Sequence, residues 1–439
     1  MISDVILFIV IFIILVGVLF LGTPVSLGIG FVGVAGIILL LDPALLKNLC
    51  MIAFNQSTSV TTMMIPLFIL MAEFLANSNI AADLFEVINR RLKKLPANIA
   101  VASVVTSTIF SALCGSAPAT AVTIGRISIP SMLKYGYNPR IAGGTQAAAG
   151  NMGIITPPSI TLIIYGIITE TSIVKLFMAG VIPGIMVMFM MIAYLVIRAK
   201  VDKNMIIPPK DIVTQDAEIK YSAGRDILTV VPMVALIGIV FIIMYTGVAT
   251  ATECAALGVV GAFIIVLVLR RFSKDLFKKS MLQSTSSTCM ILFLMFGGLA
   301  FSMFLTVEGM PQTLSAIILE SSPNRWVTLI IVMALFLLIG LFMDPIPCMY
   351  IILPFTFPFI STLGFDPIWF GIVLTLCCSI GMVTPPVGLN LFVLRGATGI
   401  SMTDLIRGVL PYVVILFLAV AILFVFPGIV TALPNSMNF

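Results

Sequence analysis

The chain has 439 residues, of which 60% are hydrophobic and only 9% are charged, and its mean hydropathy is +1.22. Because a soluble globular domain carries about 25% charged residues, this composition excludes a soluble fold and indicates an all-α polytopic membrane protein. The net charge of +5 fits basic loops on the cytoplasmic side of a bacterial inner membrane and predicts no nucleic-acid partner.

Apolar segments in chain order predict the helices embedded in the lipid bilayer. The first has no basic start and no small-residue cleavage site, so we expect a retained helix and not a signal peptide. Segments 97–132 and 326–360 exceed the roughly 20 residues that one crossing needs. Each contains a polar Gly/Pro break, CGSAPAT from Cys114 and MDPIPC from Met343, which predicts a re-entrant hairpin. The predicted segments are 4–22, 24–41, 58–77, 97–132, 141–169, 173–198, 227–246, 248–269, 286–306, 326–360, 366–396 and 409–432.

Three clusters of Lys and Arg, at 90–94, 198–225 and 270–279, predict the orientation of the chain. Because basic loops face the cytoplasm, we place all three there, including the long polar loop 199–226. The first hairpin then enters from the cytoplasm. The second follows an odd number of crossings after the third cluster, so it enters from the opposite face. Two hairpins of opposite orientation are typical of inverted repeats.

A motif repeats along the chain at a fixed spacing and supports this prediction. Thr156-Pro157-Pro158 and Thr384-Pro385-Pro386 lie 384 − 156 = 228 residues apart. The same offset pairs further residues of the two halves, namely Ser116 with Asp344, Asn151 with Ser379, and Gly153 with Gly381.

A Pro pair removes two backbone donors and pushes the preceding residue out of the helical region. The two motifs therefore predict unwound backbone at 151–156 and 379–384 within two broken helices. Freed carbonyls and Ser, Thr or Asn oxygens suit Na⁺, and half-helix N-termini suit a carboxylate. A simple proline kink is the alternative, and the presence of two copies beside polar hairpin tips favours a binding site.

Two charged residues within the hairpins are candidates for ligand contacts. Arg126 carries a planar, permanent charge suited to a carboxylate, and its alternative role is snorkelling or pairing at a helix interface. Asp344 favours a cation, and it is also a predicted N-cap before Pro345. The roles of Glu73, Glu253 and Ser302 are left unassigned.

The stretch CGSAPATAVTIGRISIPSMLKYGYNPRIAGG, followed by GNMGIITPPSI, resembles the large membrane subunit of tripartite ATP-independent periplasmic (TRAP) transporters. The similarity extends over essentially the whole chain. It implies a secondary transporter that uses a sodium gradient to import a small organic acid. It also implies two partners, a soluble periplasmic binding protein and a small four-helix membrane subunit, which we expect to be a separate chain.

The resemblance further implies an elevator, in which a transport domain slides against a scaffold. Scaffold helices would occupy 1–95 and 171–306, the two transport halves 96–170 and 307–400, and a C-terminal helix 401–439. The implied sodium ligands are Ser116, Asn151, Gly153, Thr156, Asp344, Ser379, Gly381 and Thr384. The predicted substrate contacts are Arg126, Ser116, Asn151 and Thr156. Arg126 replaces a small residue of the family pattern, which favours an acidic sugar such as sialic acid over a C4-dicarboxylate.

Three other functions compete with this interpretation. A stand-alone sodium symporter for dicarboxylates or citrate would share the hairpins and breaks but need no binding protein. An intramembrane enzyme is disfavoured because the chain has no His and no nucleophile turn of the GxSxG type. An assembly protein would leave the paired breaks unexplained.

The seven Cys, without a CxxC, are predicted to be packing residues.

Overall fold

The structure, a computed structural model, describes residues 2–202, 205–207, 223–313, 316 and 324–437. It is almost entirely helical in these ranges, apart from an isolated bridge between Tyr137 and Ile206. The helices of the first half are α1 Ile2–Phe20, α2 Val25–Leu40, α3 Leu45–Thr58, α4 Met64–Asn77, α5 Ile80–Arg91, α6 Asn98–Cys114, α7 Ala117–Lys134, α8 Pro139–Gly150, α9 Met152–Ile155, α10 Ile160–Thr169 and α11 Ile173–Val201. Those of the second half are α12 Ala223–Tyr245, α13 Ala251–Val268, α14 Lys274–Val307, α15 Arg325–Gly340, α16 Pro345–Thr362, α17 Pro367–Val383, α18 Leu389–Thr398, α19 Met402–Val425 and α20 Gly428–Asn435.

The helices have the length and hydropathy of a multi-pass membrane protein. In the described ranges, six stretches are long and apolar enough to cross a membrane, and a seventh counts if α4 and α5, bent by 67°, act as one span. Several further apolar helices are only 10–17 residues long, among them α6 and α17. Three of these shorter helices, α6, α15 and α17, lie directly beside a hairpin break or a Pro-Pro motif.

Three helices differ from the sequence prediction. Helices α3 and α5 were not predicted, because their polar residues interrupt the apolar runs, and none of the residues of α3 is buried. Helix α14 begins at Lys274, twelve residues before its predicted apolar start at 286, and has 34 residues. At 1.5 Å per residue it is about 51 Å long, well beyond the roughly 30 Å of a hydrocarbon core.

Both predicted hairpin breaks are present. Helix α6 ends at Cys114, Gly115 adopts the left-handed conformation with φ of 62°, and Ser116 precedes α7 in an extended conformation without a side-chain cap hydrogen bond. In the second half, α15 ends at Gly340 and α16 begins at Pro345. The helices on either side of each break contact one another, so each pair forms a helical hairpin.

A buried polar network holds α6, α7 and α8 together. The Gln146 side chain on α8 accepts hydrogen bonds from Ser103 and Ser128 and donates to Ser107 and the Ala121 carbonyl. The four side chains of this network are completely buried. Because the Gln146 amide on α8 forms hydrogen bonds with both α6 and α7, it fixes the first hairpin to the helix that leads into the first Pro-Pro motif.

Helices α8 and α19 cross at very short range. A Cβ added to Gly408 would lie 1.9 Å from the Arg140 carbonyl oxygen, and one added to Gly144 would lie 2.1 Å from the Gly408 carbonyl carbon. Arg140 Nε also pairs with Asp404 at 3.0 Å, and Thr145 bonds to the Tyr412 hydroxyl at 2.6 Å. The C-terminal helix is thereby attached to the first half of the chain.

Candidate functional site

The first helix break lies directly against the first Pro-Pro motif. The Ile160 amide, at the start of α10, donates to the Gly115 carbonyl at 3.4 Å. A Cβ on Gly115 would lie 2.8 Å from the Pro158 carbonyl oxygen, and one on Gly153 would lie 2.7 Å from the backbone of Ser116. Only glycine permits this approach, so the hairpin tip and the unwound motif form one unit.

The second half repeats this arrangement. The Gly388 amide donates to the Leu341 carbonyl at 3.4 Å, and residues 160 and 388 are again 228 positions apart. A Cβ on Gly381 would lie 2.6 Å from the Gly340 carbonyl carbon. In both halves, the second residue after the Pro-Pro motif donates to the backbone of the hairpin break.

The two Pro-Pro motifs differ in how far the helix continues toward them. In the first, α8 ends at Gly150, α9 is a single turn, and residues 156–159 are not helical. The prediction of unwound backbone at 151–156 is therefore confirmed at 151 and 156 and wrong for 152–155. In the second, α17 continues to Val383, so the prediction of unwound backbone at 379–384 was wrong for 379–383. The reason is that a proline displaces its predecessor, Thr384, from the helical region but lets the helix run up to that residue.

A small cavity of about 40 Å³ lies between the two hairpin breaks. Residues 115–118 of the first break and 344–346 of the second form its walls, with Ile154, Ile160, Thr161 and Met382. Ser116 and Asp344, the pair predicted from the 228-residue offset, therefore share one cavity. Asp344 Oδ1 also accepts a hydrogen bond from the Ile346 amide at 3.1 Å, as its predicted N-cap role requires.

A second polar contact joins the two motif copies. The Asn151 side-chain amide donates to the Ser379 carbonyl at 2.6 Å, again across 228 residues. Asn151 Oδ1 accepts from the Asn390 side chain. Asn151, Ser379 and Asn390 are completely buried. Asn390 was not among the predicted site residues, because it lies within an ordinary helix and its partner is 239 residues away in the chain.

Buried oxygen atoms without a hydrogen-bond partner cluster at these motifs. In the described part of the chain they include Thr156 Oγ1, Ser379 Oγ and Asn390 Oδ1. Unpaired buried polar atoms are rare in folded proteins, and oxygen donors of this kind are those that bind small cations. Thr384 differs from Thr156, because its Oγ1 donates to the Ile380 carbonyl at 2.6 Å.

Arg126 lies apart from this cavity. It is exposed on α7, ten residues beyond Ser116, which places it about 15 Å along the helix. It does not line the cavity. In the described part of the chain its guanidinium makes no ion pair or hydrogen bond.

The residues that sequence analysis left unassigned have local partners. Glu73 accepts from the Asn77 side chain, which also bonds to Ser280 and Gln283 and so ties α4 to α14. Glu253 forms a capping box with Thr250 at the start of α13. Ser302 lies half-buried within α14.

Comparisons with known proteins give a consistent result. Residues 12–429 match the family described as tripartite ATP-independent periplasmic transporter, DctM component. The chain is 34% identical over 402 residues to the C4-dicarboxylate TRAP transporter large permease protein DctM of Pseudomonas aeruginosa, covering 91% of this chain and 92% of that protein. It is 30% identical to the sialic acid TRAP transporter large permease protein SiaM of Vibrio cholerae, covering 95% and 96%. The crystal structure of the Alcanivorax borkumensis YdaH transporter superposes with a TM-score of 0.63 at 16% identity, over 89% of this chain and 90% of that one, and shows a shared fold.

Proposed function

Because the chain belongs to the DctM family of tripartite ATP-independent periplasmic transporters, we propose that it is the large membrane subunit of a sodium-driven importer of small organic acids. It is a multi-pass protein of the bacterial inner membrane. The observation that carries the proposal is the cavity that Ser116 and Asp344 share between the two helix breaks.

The chemistry of the two breaks supports Na⁺ as the coupling ion. Asp344 contributes a carboxylate, Ser116 a hydroxyl, and the unwound backbone contributes carbonyls. Hard cations bind oxygen ligands of this kind. We propose that the ligands come from Ser116, Asn151, Gly153 and Thr156 in the first half and from Asp344, Ser379, Gly381 and Thr384 in the second.

A small organic anion is the substrate class that fits this environment. The N-terminal end of α7, which begins after Ser116, and that of α16, which Asp344 caps, meet at the cavity, and helix N-termini attract carboxylates. Arg126 has no counter-ion in the described part of the chain, so its guanidinium is available to pair with a substrate carboxylate at its own exposed position on α7, outside the cavity. We propose C4-dicarboxylates as the first class to test and sialic acid as the second.

The packing around the breaks supports an elevator movement. Each hairpin is held to its Pro-Pro motif by backbone contacts, and the two halves meet at Asn151. The contact of α6 and Pro158 with α4 and α12 is lined by apolar side chains and contains a crevice of only about 10 Å³. We propose that the halves 96–170 and 307–400 slide as one body against the scaffold 1–95 and 171–306. The C-terminal segment 401–439 would travel with them, because α19 is attached to α8.

Two partners follow from the proposed function. A periplasmic binding protein would deliver the acid, and a small membrane subunit would support the scaffold. That the small subunit is a separate chain stays a prediction. A stand-alone sodium symporter, the alternative from the sequence, would need neither partner.

Uptake by the reconstituted protein tests the proposal. Proteoliposomes are prepared with the protein and both partners. Uptake of C4-dicarboxylates and sialic acid is then measured with an inward sodium gradient or an equal potassium gradient. We expect uptake only with sodium and the binding protein present. Uptake that continues without sodium would contradict the coupling, and uptake without the binding protein would favour the stand-alone symporter.

A further inference from the structure

Asn390 is a completely buried amide in the first turn of α18. Its Nδ2 donates to Asn151 Oδ1, and Asn151 Nδ2 donates to the Ser379 carbonyl at 2.6 Å. These two hydrogen bonds form a link that joins three residues. It begins at Asn390 after the second Pro-Pro motif, passes through Asn151 at the end of α8 in the first half, and returns to the second half at Ser379 on α17. Neither the cavity lining nor the proposed ligand sets include Asn390.

The Ser379 carbonyl fixes the donor-to-acceptor direction of both hydrogen bonds in this link. A backbone carbonyl only accepts hydrogen bonds, so Asn151 must turn its nitrogen to Ser379. Its oxygen then faces Asn390, which must present its own nitrogen. The two amides are therefore aligned head to tail, and hydrogen bonds arranged in this way polarise one another in a low-dielectric interior.

The link leaves oxygen atoms unpaired at its ends. Asn390 Oδ1 and Ser379 Oγ are buried and have no hydrogen-bond partner among the described residues. Asn151 Oδ1 keeps a second lone pair, and both lone pairs of Asn390 Oδ1 are free. The Ser379 carbonyl keeps none, because it also lies within the helical hydrogen-bond ladder of α17. A cation that binds any of the oxygens with a free lone pair in one half changes the polarisation and geometry of the amides that reach into the other half.

From these contacts we propose that Asn390 is a positioning residue that couples the two halves of the site. It holds Asn151 in the orientation that lets cation binding in one half favour cation binding in the other. This inference rests on the proposed sodium-driven function. It predicts that sodium acts cooperatively and that the cooperativity depends on Asn390 while Asn390 itself contacts no substrate.

The test measures initial uptake against sodium concentration for the reconstituted transporter with its partners. For Asn390→Ala we expect the half-saturating sodium concentration to rise about three- to tenfold and the Hill coefficient to fall to about 1. Asn390→Ser, which keeps a small polar group too short to reach Asn151, should do the same and guards against misfolding of the alanine variant. The matched control is Asn98→Ala, which removes another amide–amide hydrogen bond, from Asn98 to Asn89 at 3.0 Å, outside the cavity. It should leave both sodium parameters unchanged.

A double variant distinguishes positioning from a purely structural role. If Asn390 acts through Asn151, adding Asn390→Ala to Asn151→Ala should change the sodium dependence no further than Asn151→Ala alone. Additive effects, or single variants with wild-type cooperativity, would overturn the inference and leave the proposed function standing. Wild-type uptake that is independent of sodium would overturn both.

Discussion

The carboxylate of Asp344 caps α16 through the Ile346 amide and also lines the cavity between the breaks. Asn is as good an N-cap as Asp, so Asp344→Asn removes the charge and keeps the cap. We expect the half-saturating sodium concentration to rise about tenfold, with a smaller change in apparent affinity for the acid at saturating sodium. Initial uptake rates over a grid of sodium and substrate concentrations measure both quantities.

Asp366 provides the matched control for this substitution. It caps α17 through the amides of Ile368 and Trp369, and it does not line the cavity. Asp366→Asn should therefore leave the sodium dependence unchanged. If Asp344→Asn has wild-type sodium dependence as well, Asp344 is only an N-cap and its place among the sodium ligands is lost.

Arg126 is the second residue whose role a substitution can decide. If its guanidinium binds a substrate carboxylate during transport, Arg126→Ala should weaken apparent substrate affinity about ten- to a hundredfold. Arg126→Lys should retain part of the activity, because the charge remains but the planar fork is lost. Substrate saturation curves at fixed sodium provide the measurement.

A neighbouring arginine controls for a general loss of surface charge. Arg395 is exposed on α18, a helix that packs against α7. Arg395→Ala should leave substrate affinity unchanged. Wild-type kinetics in Arg126→Ala would identify Arg126 as a snorkelling or interface residue.

The sequence allowed some of these residues to be found and not others. Ser116 and Asp344 were predictable because both lie at Gly/Pro breaks that repeat at one spacing. Asn390 and Gln146 were not, because each sits within an ordinary helix and matters through partners far away in the chain. Asn390 contacts Asn151 across 239 residues, and no local pattern records such a pairing.

At the scale of helices, the breaks were more predictable than the helix ends. Glycine and proline chemistry located both hairpin breaks. Proline explains why the last helical residue precedes Thr156 in one copy and Thr384 in the other, but no sequence pattern marked the additional interruption at Asn151. The length of helix α14 was underestimated because its first turns are polar, and the spacing of apolar residues does not reveal polar turns.

The crossing of α8 and α19 leads to a prediction about helix packing. Gly408→Ala places a methyl group against the Arg140 backbone, which cannot move aside like a flexible side chain. We expect a loss of about 1–3 kcal/mol in the free energy of unfolding, together with lower uptake. Thermal unfolding in detergent and transport assays would measure the two effects.

The control for this substitution is a glycine with open space around it. A Cβ on Gly238, within α12, would meet no atom within 4 Å. Gly238→Ala should therefore leave stability and uptake near wild type. If Gly408→Ala is equally harmless, the two helices do not cross as closely as described, and the C-terminal helix is free of the first half.

For the whole molecule, orientation in the membrane is the prediction still to be tested. We expect cysteines introduced into loop 199–226 to be labelled from the cytoplasm and those at 321–325 from the periplasm, because the basic clusters face the cytoplasm. Most of both segments lies outside the described residues. Labelling with an impermeant maleimide in intact cells and inverted vesicles distinguishes the faces. Finding both segments on one face would contradict the opposite orientation of the two hairpins.

The contact between Asn151 and Ser379 has a geometric meaning beyond its hydrogen bond. Residues exchanged by a two-fold rotation can touch only on the rotation axis itself. If the two motif copies are related in this way, the pseudo-axis passes through this contact. A symmetric pair there would bond in both directions, but an amide facing a carbonyl bonds in one direction only. If transport exchanges the roles of the two halves, the two conformations would differ in this hydrogen bond, and we expect them to differ in energy.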